Sequence, residues 1–139
     1  MVSIAALQEE REKSTQAAIR LHNAMESGDM AWWEWDIPTG EVTMHEKKAT
    51  MLGYTLEEFP NNVYEICKLI HPDDYEHAMQ QMRDHIEGKN PSYKVVYRLR
   101  TKSGDYKKYY DKGGIVFRDK KGKPLKLAGI VIDIDGIEG

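Results

Sequence analysis

Residues in the last third of the chain alternate between apolar and polar types. Between residues 93 and 100 every second residue is Tyr, Val or Leu, and three of the four residues between them are Lys or Arg. A period of two is typical of a strand with one buried face. Ser103-Gly104-Asp105 and Asp119–Pro124 have turn composition, so two further strands are predicted at Tyr106–Arg118 and Leu125–Ile134. The three strands together predict an antiparallel meander.

The first 27 residues have a different character, because helix-forming residue types dominate them. Residues 3–27 contain neither proline nor glycine, which predicts one long helix ending at Gly28. Its heptad seam is apolar only towards the two ends, so a solvated helix lying on the next domain and a dimerising helix are both open readings. The a and d positions of this seam are Ile4, Leu7, Arg11, Ser14, Ala18, Leu21 and Met25.

The middle of the chain predicts a hairpin followed by helices. A tryptophan-rich strand, Met30–Ile37, leads through Pro38-Thr39-Gly40 to a second strand, Glu41–Met44. Helical composition then returns in several pieces, which are His45–Tyr54, Leu56–Phe59, Val63–Ile70 and a longer helix from Pro72 to about Gly88. Along the longer helix an apolar face is predicted from Tyr75, Met79, Met82 and Ile86.

These elements predict the fold class and the domain boundaries. The class is α+β, a five-stranded antiparallel sheet with short helices on one face, preceded by a long N-terminal helix. We expect a flanking helix over residues 1–28, a folded domain over residues 29–135, and the start of an exit linker at residues 136–139.

Charge and cysteine content narrow the partners and the compartment. The formal net charge is -3, with 20 basic and 23 acidic residues well mixed, so neither nucleic acid nor a membrane surface is an expected partner. Cys67 is the only cysteine, which excludes an internal disulfide and a cysteine-rich zinc site. The chain also has neither a long apolar run nor a signal sequence, and we expect a cytoplasmic location.

Six short motifs occur in a characteristic order. They are Trp33-Glu34-Trp35-Asp36, Met51-Leu52-Gly53-Tyr54, His71-Pro72-Asp73-Asp74, Tyr97-Arg98-Leu99-Arg100, Gly104-Asp105-Tyr106, and Gly129 through Asp133-Ile134. This series resembles the PAS family, in the subclass with a C-terminal PAC segment, over about residues 29–135. The series departs from the family pattern at Lys108, where a tryptophan is usual, and at Asp135, where a threonine is usual.

The resemblance implies a non-enzymatic sensor and interaction module of a signalling protein, such as the histidine kinase of a two-component system. It implies a homodimer formed through the N-terminal helix and the sheet face, and a C-terminal effector domain. Nucleotide-binding loops, zinc peptidase motifs and nucleophile elbows are absent from the sequence. Asp73 and Asp74 are adjacent in a first helical turn and are explained by the helix dipole rather than by acid-base chemistry.

The resemblance also implies a cavity between the helices and the sheet. Such a cavity holds a small organic ligand or is filled by side chains, and its candidate lining residues are Trp33, Trp35, Met51, Leu52, Tyr54, Ile66, Met79, Met82, His85, Tyr97 and Val131. Haem-binding PAS domains take their axial histidine from the longest helix, which makes His85 the candidate ligand of a haem sensor, although a flanking histidine is more often a rim or surface residue. The Cys67 context differs from that of flavin-binding relatives and indicates an inert thiol. A ligand-free dimerisation module is the third reading, and no metal is expected.

Overall fold

The computed structural model describes residues 3–135, and within them all side chains except those of residues 14, 17, 18 and 20–27. The predicted class is confirmed, because five antiparallel strands form one sheet and short helices pack against it. The elements in chain order are α1 (Ile4–Ser27), β1 (Met30–Asp36), β2 (Val42–Met44), α2 (Lys47–Thr50), α3 (Val63–Cys67), α4 (Pro72–Ile86), β3 (Tyr93–Arg100), β4 (Tyr106–Arg118) and β5 (Pro124–Asp133).

The strand order β2-β1-β5-β4-β3 joins the predicted hairpin to the predicted meander. β5 lies at the centre, where it pairs with β1 on one side and with β4 on the other. In β3 buried and less buried residues alternate along the whole strand, as the period of two predicts. One face of the sheet therefore supplies the floor of the core.

Strand ends differ from the predictions by one residue or so. β1 ends at Asp36, because the Asp36 carboxylate accepts hydrogen bonds from the backbone N–H and the hydroxyl of Thr39 and so begins the turn. Glu41 is not part of β2 and instead pairs with Asn62 in an isolated bridge. β5 spans Pro124–Asp133 rather than residues 125–134.

The short helices are shorter than the sequence predicts. α2 has four residues instead of ten, and the segment closes at Gly53, whose φ of +87° is accessible mainly to glycine. The predicted helical turn Leu56–Phe59 is a non-helical turn, in which Thr55 and Glu58 exchange side-chain to backbone hydrogen bonds. α3 stops at Cys67 because the residues after it pair with the edge of β3, where Ile70 lies opposite Leu99.

The buried face of α4 is rotated from the predicted one. The most buried residues of this helix are Ala78 and His85, whereas Tyr75 is 39% exposed and Met79 and Met82 are only partly covered. Ala78 is small enough to let the helix approach β3 closely. The expectation that His85 lies on the rim or surface is wrong, since the side chain is 5% exposed.

α1 has the predicted extent, and it contacts β1. Its first turns expose their apolar positions, as Ile4 is 76% and Leu7 46% exposed. The heptad positions Ser14, Ala18, Leu21 and Met25 lie outside the described side chains, and the predicted exit linker 136–139 lies outside the described residues. Among the described residues no helix is both long and apolar enough to cross a membrane.

Candidate functional site

A cavity of about 440 Å³ lies between the inner face of the sheet and the helices. Its volume is in the range of small-molecule pockets, which is roughly 300 to 1,000 Å³. The lining residues come from β1, β2, β3 and β4, from the helices α2, α3 and α4, and from the segment just after α3. The lining residues are Trp33, Trp35, Val42, Lys48, Val63, Tyr64, Ile66, Cys67, Lys68, Ile70, Tyr75, Met79, Met82, Tyr93, Tyr97 and Asp111.

Asp111 is the one carboxylate of this lining, and it is 7% exposed. The indole N–H of Trp33 donates to its Oδ1 over 2.8 Å, and the hydroxyl of Tyr97 donates to its Oδ2 over 2.7 Å. Burial raises the pKa of Asp111 to about 6, although the Lys48 ammonium and both donors act in the opposite direction. Each carboxylate oxygen therefore already has one donor.

Lys48 places an ammonium group in the same cavity, although its side chain is among the most buried charged ones, at 4% exposed. It lies on α2, whose next residue, Ala49, is fully buried. Burial lowers the pKa of Lys48, and the charge of Asp111 opposes this effect. Among the residues that the structure describes, the ammonium forms no ion pair and lies 5.4 Å from the centroid of the Phe59 ring.

The buried thiol and tyrosine hydroxyls of the cavity are neutral at physiological pH. Burial raises the pKa of the Cys67 thiol, so this cysteine is protonated and a poor nucleophile. Burial also raises the pKa of Tyr93 and that of Tyr97 well above the ordinary value. Among its described side chains the cavity thus contains one buried cation, one hydrogen-bonded carboxylate and no activated nucleophile, while the second lysine of the lining, Lys68, is 70% exposed and pairs with Glu65.

Aromatic and methionine side chains form the apolar walls. The ring of Trp33 meets that of Tyr93 edge to face, with centroids 6.5 Å apart. The N–H of Trp35 is buried and has no hydrogen-bond partner in the described part of the chain. At the rim, Tyr64 is 68% exposed and Tyr75 is 39% exposed, which indicates that the opening lies between α3 and α4.

A family model described as the PAS fold matches residues 41–131. The chain belongs to the PAS family. The matched range covers β2 to β4 and most of β5, and it includes most of the cavity lining. PAS domains are sensory domains of signalling proteins, and Lys48, Met79, Met82 and Asp111 all lie within the matched range.

Similar proteins are sensors and signalling enzymes. A methyl sulfide methyltransferase-associated sensor from Methanosarcina acetivorans is 28% identical in an alignment of 128 residues, which covers 88% of this chain but only 13% of that protein. A solved structure of a sensory box histidine kinase/response regulator from Burkholderia thailandensis is 27% identical, with a TM-score of 0.72, covering 84% of this chain and 86% of that one. The N-terminal domain of a diguanylate cyclase with a PAS/PAC sensor from Marinobacter aquaeolei shares the fold at 21% identity, with a TM-score of 0.67, covering 76% and 95% respectively.

Six of the residues singled out from the sequence line the cavity of this PAS domain, namely Trp33, Trp35, Ile66, Met79, Met82 and Tyr97. Leu52 and Val131 are buried core residues, and neither lines the cavity. Met51 and Tyr54 pack at the edge of the core, where the Tyr54 ring contacts that of Phe59 at 5.6 Å. The binding role of all these residues stays a prediction.

His85 does not line the cavity, and both of its ring nitrogens are hydrogen-bonded to the backbone. Nε2 accepts from the N–H of Ile115 over 3.1 Å, so the proton of the neutral ring is on Nδ1, which donates to the carbonyl of Asn90 over 2.9 Å. A haem axial ligand needs a free nitrogen facing the cavity, and none of the described histidines lines it. The described residues also contain no cluster of three or more His, Cys, Asp or Glu side chains suited to a metal ion.

Of the lining residues that sequence reasoning missed, Lys48 and Asp111 are the two buried charged ones. Lys48 lies beside Lys47 in a helix of a single turn, which is too short for a periodic pattern to show which lysine faces inward. A signal for Asp111 did exist, because the alternation of β4 puts Asp111 on the same face as the fully buried Tyr109.

Proposed function

We propose that this PAS domain binds a small organic molecule in its cavity and passes the change on to a C-terminal effector domain, without catalysing a reaction itself. The observation that carries the proposal is the combination of an apolar cavity of about 440 Å³ with two buried, oppositely charged groups, Lys48 and Asp111. Buried charges are costly for a domain that needs only a packed core. Such polar groups in an apolar pocket are typical of ligand recognition.

A histidine kinase is the effector that we favour. The similar chain from Burkholderia thailandensis belongs to a sensory box histidine kinase/response regulator. The present chain spans only 13% of the length of the similar sensor from Methanosarcina acetivorans, so that sensor has further segments beside the matched one. For a signal to pass, the ligand must bind one arrangement of the domain and its flanking helix more tightly than another. We place the domain in the cytoplasm, where its free thiol at Cys67 stays reduced.

The proposal is tested by native mass spectrometry of the full chain purified from its own host under non-denaturing conditions. We expect one small molecule per chain, and we expect Met82→Trp to lose it, because the larger side chain occupies the cavity. Met51→Trp is the matched control, since Met51 does not line the cavity. Ligand-free protein from the host, together with no stabilisation by any compound of a metabolite library, would contradict the proposal.

Apolar residues on the outer face of the sheet favour a second function, dimerisation. Direct cross-strand pairs place Trp32 beside Ile130, and Ile132 beside Tyr110, which in turn pairs with Val96. Met30 is paired with Ile132, so Met30, Ile132, Tyr110 and Val96 form one row across four strands, with Trp32 and Ile130 in the row beside it. Val96 is 41% exposed. An apolar row of this kind on an antiparallel sheet is suited to a second copy of the chain.

We propose that two chains associate through this row together with the N-terminal helix. Sedimentation of the full chain then shows a concentration-dependent dimer, and Val96→Glu shifts it towards the monomer because a charge is buried in the interface. Leu56→Glu, at an exposed loop residue away from the sheet, leaves the equilibrium unchanged. A monomer at every concentration would rule this association out and leave ligand binding untouched.

A further inference from the structure

Two polar groups of the cavity lining, the Lys48 ammonium and the Trp35 indole N–H, can only donate hydrogen bonds. The side chain of Lys48 is buried and its ammonium forms no ion pair with any described residue, and the buried N–H of Trp35 has no partner in that same part of the chain. An unpaired buried donor costs free energy, and a buried charge costs more. Any ligand that supplies an acceptor here recovers part of that cost.

The buried carboxylate of the cavity already accepts hydrogen bonds from the protein. Both oxygens of Asp111 receive a hydrogen bond, one from Trp33 and one from Tyr97. A ligand that brings a donor to Asp111 therefore has to compete with two protein donors at 2.7 and 2.8 Å. The polar end of the cavity is built to receive an acceptor group rather than a donor group.

We propose that the ligand is an amphipathic carboxylate, whose oxygens pair with Lys48 while its apolar part lies against Trp33, Met79 and Met82. The inference rests on the proposed binding function and names the chemical class of its ligand. At the packing density of protein interiors, the cavity holds a molecule of roughly 10 to 15 non-hydrogen atoms. Medium-chain fatty acids and arylalkanoic acids are of this size.

The main objection to a carboxylate ligand is its electrostatic repulsion by Asp111, but the affinity lost through this repulsion is limited. Asp111 has a pKa of about 6, so at neutral pH it can take up a proton at a cost of roughly tenfold in affinity. A carboxylate in direct contact with Lys48 interacts at shorter range than with Asp111, whose oxygens face Trp33 and Tyr97. The anion also favours the charged form of Lys48, which burial alone disfavours.

The test compares decanoate with decan-1-ol, which share an apolar chain and differ at the polar end. Binding to the delipidated full chain is followed by the fluorescence of the cavity tryptophans Trp33 and Trp35 and by calorimetry. We expect decanoate to bind at least tenfold more tightly than the alcohol, and Lys48→Met to abolish this preference. Lys47→Met is the control, since Lys47 is the neighbour of Lys48 on α2 but does not line the cavity.

If a variant fails to fold, the comparison of decanoate with decan-1-ol on the wild-type protein is sufficient to test the carboxylate assignment. Equal affinities for the two probes, a preference that survives in Lys48→Met, or a failure of decanoate to bind would each overturn the carboxylate assignment. Tight binding of decan-1-ol, or a retained host molecule without a carboxylate, would overturn it and leave the proposed binding function standing. The proposed function fails only if no host molecule is retained and no tested compound binds.

Discussion

The indole nitrogen of Trp33 lies 2.8 Å from Oδ1 of Asp111, a residue 78 positions later in the chain. Trp33 is on β1 and Asp111 is on β4, and the central strand β5 runs between them. The hydrogen bond therefore spans three strands across the inner face of the sheet. It links the N-terminal hairpin to the C-terminal meander and positions the cavity carboxylate.

This arrangement needs space beneath the indole ring, and two glycines provide it. Gly113 and Gly129 lie directly opposite each other on β4 and β5, and Gly129 is also paired with Trp33. A Cβ atom at Gly113 would lie 2.7 Å from Cζ2 of Trp33, and one at Gly129 would meet the same atom at 2.7 Å and also clash with the carbonyl of Lys112. The second clash is with backbone and is hard to relieve.

We expect Gly129→Ala to lower the free energy of unfolding by about 3 kcal/mol, the upper part of the range for overpacked cores. The matched control is Gly114→Ala, because a Cβ there meets only His85, at 3.7 Å. Urea denaturation measures both variants, and tryptophan fluorescence reports displacement of the Trp33 ring. Equal stability of the two variants would show that Trp33 does not pack on the glycine pair.

The raised pKa of Asp111 makes stability depend on pH in a definite direction. The folded state keeps a proton up to about pH 6, whereas an unperturbed aspartate loses it near 3.8. Between these values the folded state binds more protons than the unfolded state, so the contribution of Asp111 to stability falls as pH rises. The difference corresponds to roughly 3 kcal/mol over that window.

Asp111→Asn removes this contribution. We expect its free energy of unfolding to lack the decline of about 2 kcal/mol between pH 4 and 6 that Asp111 gives the wild-type protein. Urea denaturation at a series of pH values measures the difference, and NMR of the Asp111 carboxyl carbon gives the pKa directly. Asp119→Asn, in the exposed turn between β4 and β5, is the control. An Asp111 that titrates near 4 would contradict the described burial.

Much of the fold follows from local pattern, whereas the site depends on long-range contacts. Strand β3 could be placed from its alternation, and α4 from Pro72 at its start. The end of α3 could not be predicted from local pattern, because it is set by the pairing of Ile70 with Leu99, two residues far apart in the sequence. For the same reason the cavity's tryptophans and methionines were predicted by type, but the partnership of Trp33, Tyr97 and Asp111 was not.

Asp74 illustrates how a residue explained by local physics has a further tertiary role. The helix dipole accounts for an aspartate in the first turn of α4, but the Asp74 carboxylate also binds β3. It accepts from the backbone N–H of Arg98 and from Nε of the same residue, both over 2.8 Å, and from a second guanidinium nitrogen over 3.0 Å. These bonds to Arg98 hold the pKa of Asp74 below its usual value.

A lowered carboxyl pKa gives stability that is present above the unfolded value of 3.8 and is lost as pH falls through the folded value. We expect Asp74→Asn to weaken the attachment of α4 to β3 by about 1 kcal/mol, because asparagine lacks the charge and one of the two acceptor oxygens that bind Arg98. We expect the variant's deficit to be largest at neutral pH and to shrink in acid. Asp73→Asn is the control, since its side chain is 79% exposed. A deficit independent of pH would indicate that charge is not involved.

His85 distinguishes a structural histidine from a ligand. Its ring joins α4 to β4 through Ile115 and closes the turn after α4 through Asn90, and it does so at a buried position. His85→Ala leaves one backbone donor and one acceptor without partners and opens a cavity, so we expect a loss of about 2 to 4 kcal/mol. The control His77→Ala, at an exposed position of the same helix, should change stability by less than about 0.5 kcal/mol. If His85→Ala instead kept full stability and abolished a Soret band of haem-reconstituted protein, the ring would be acting as a metal ligand, and its hydrogen bonds to the backbone could not be essential to the fold.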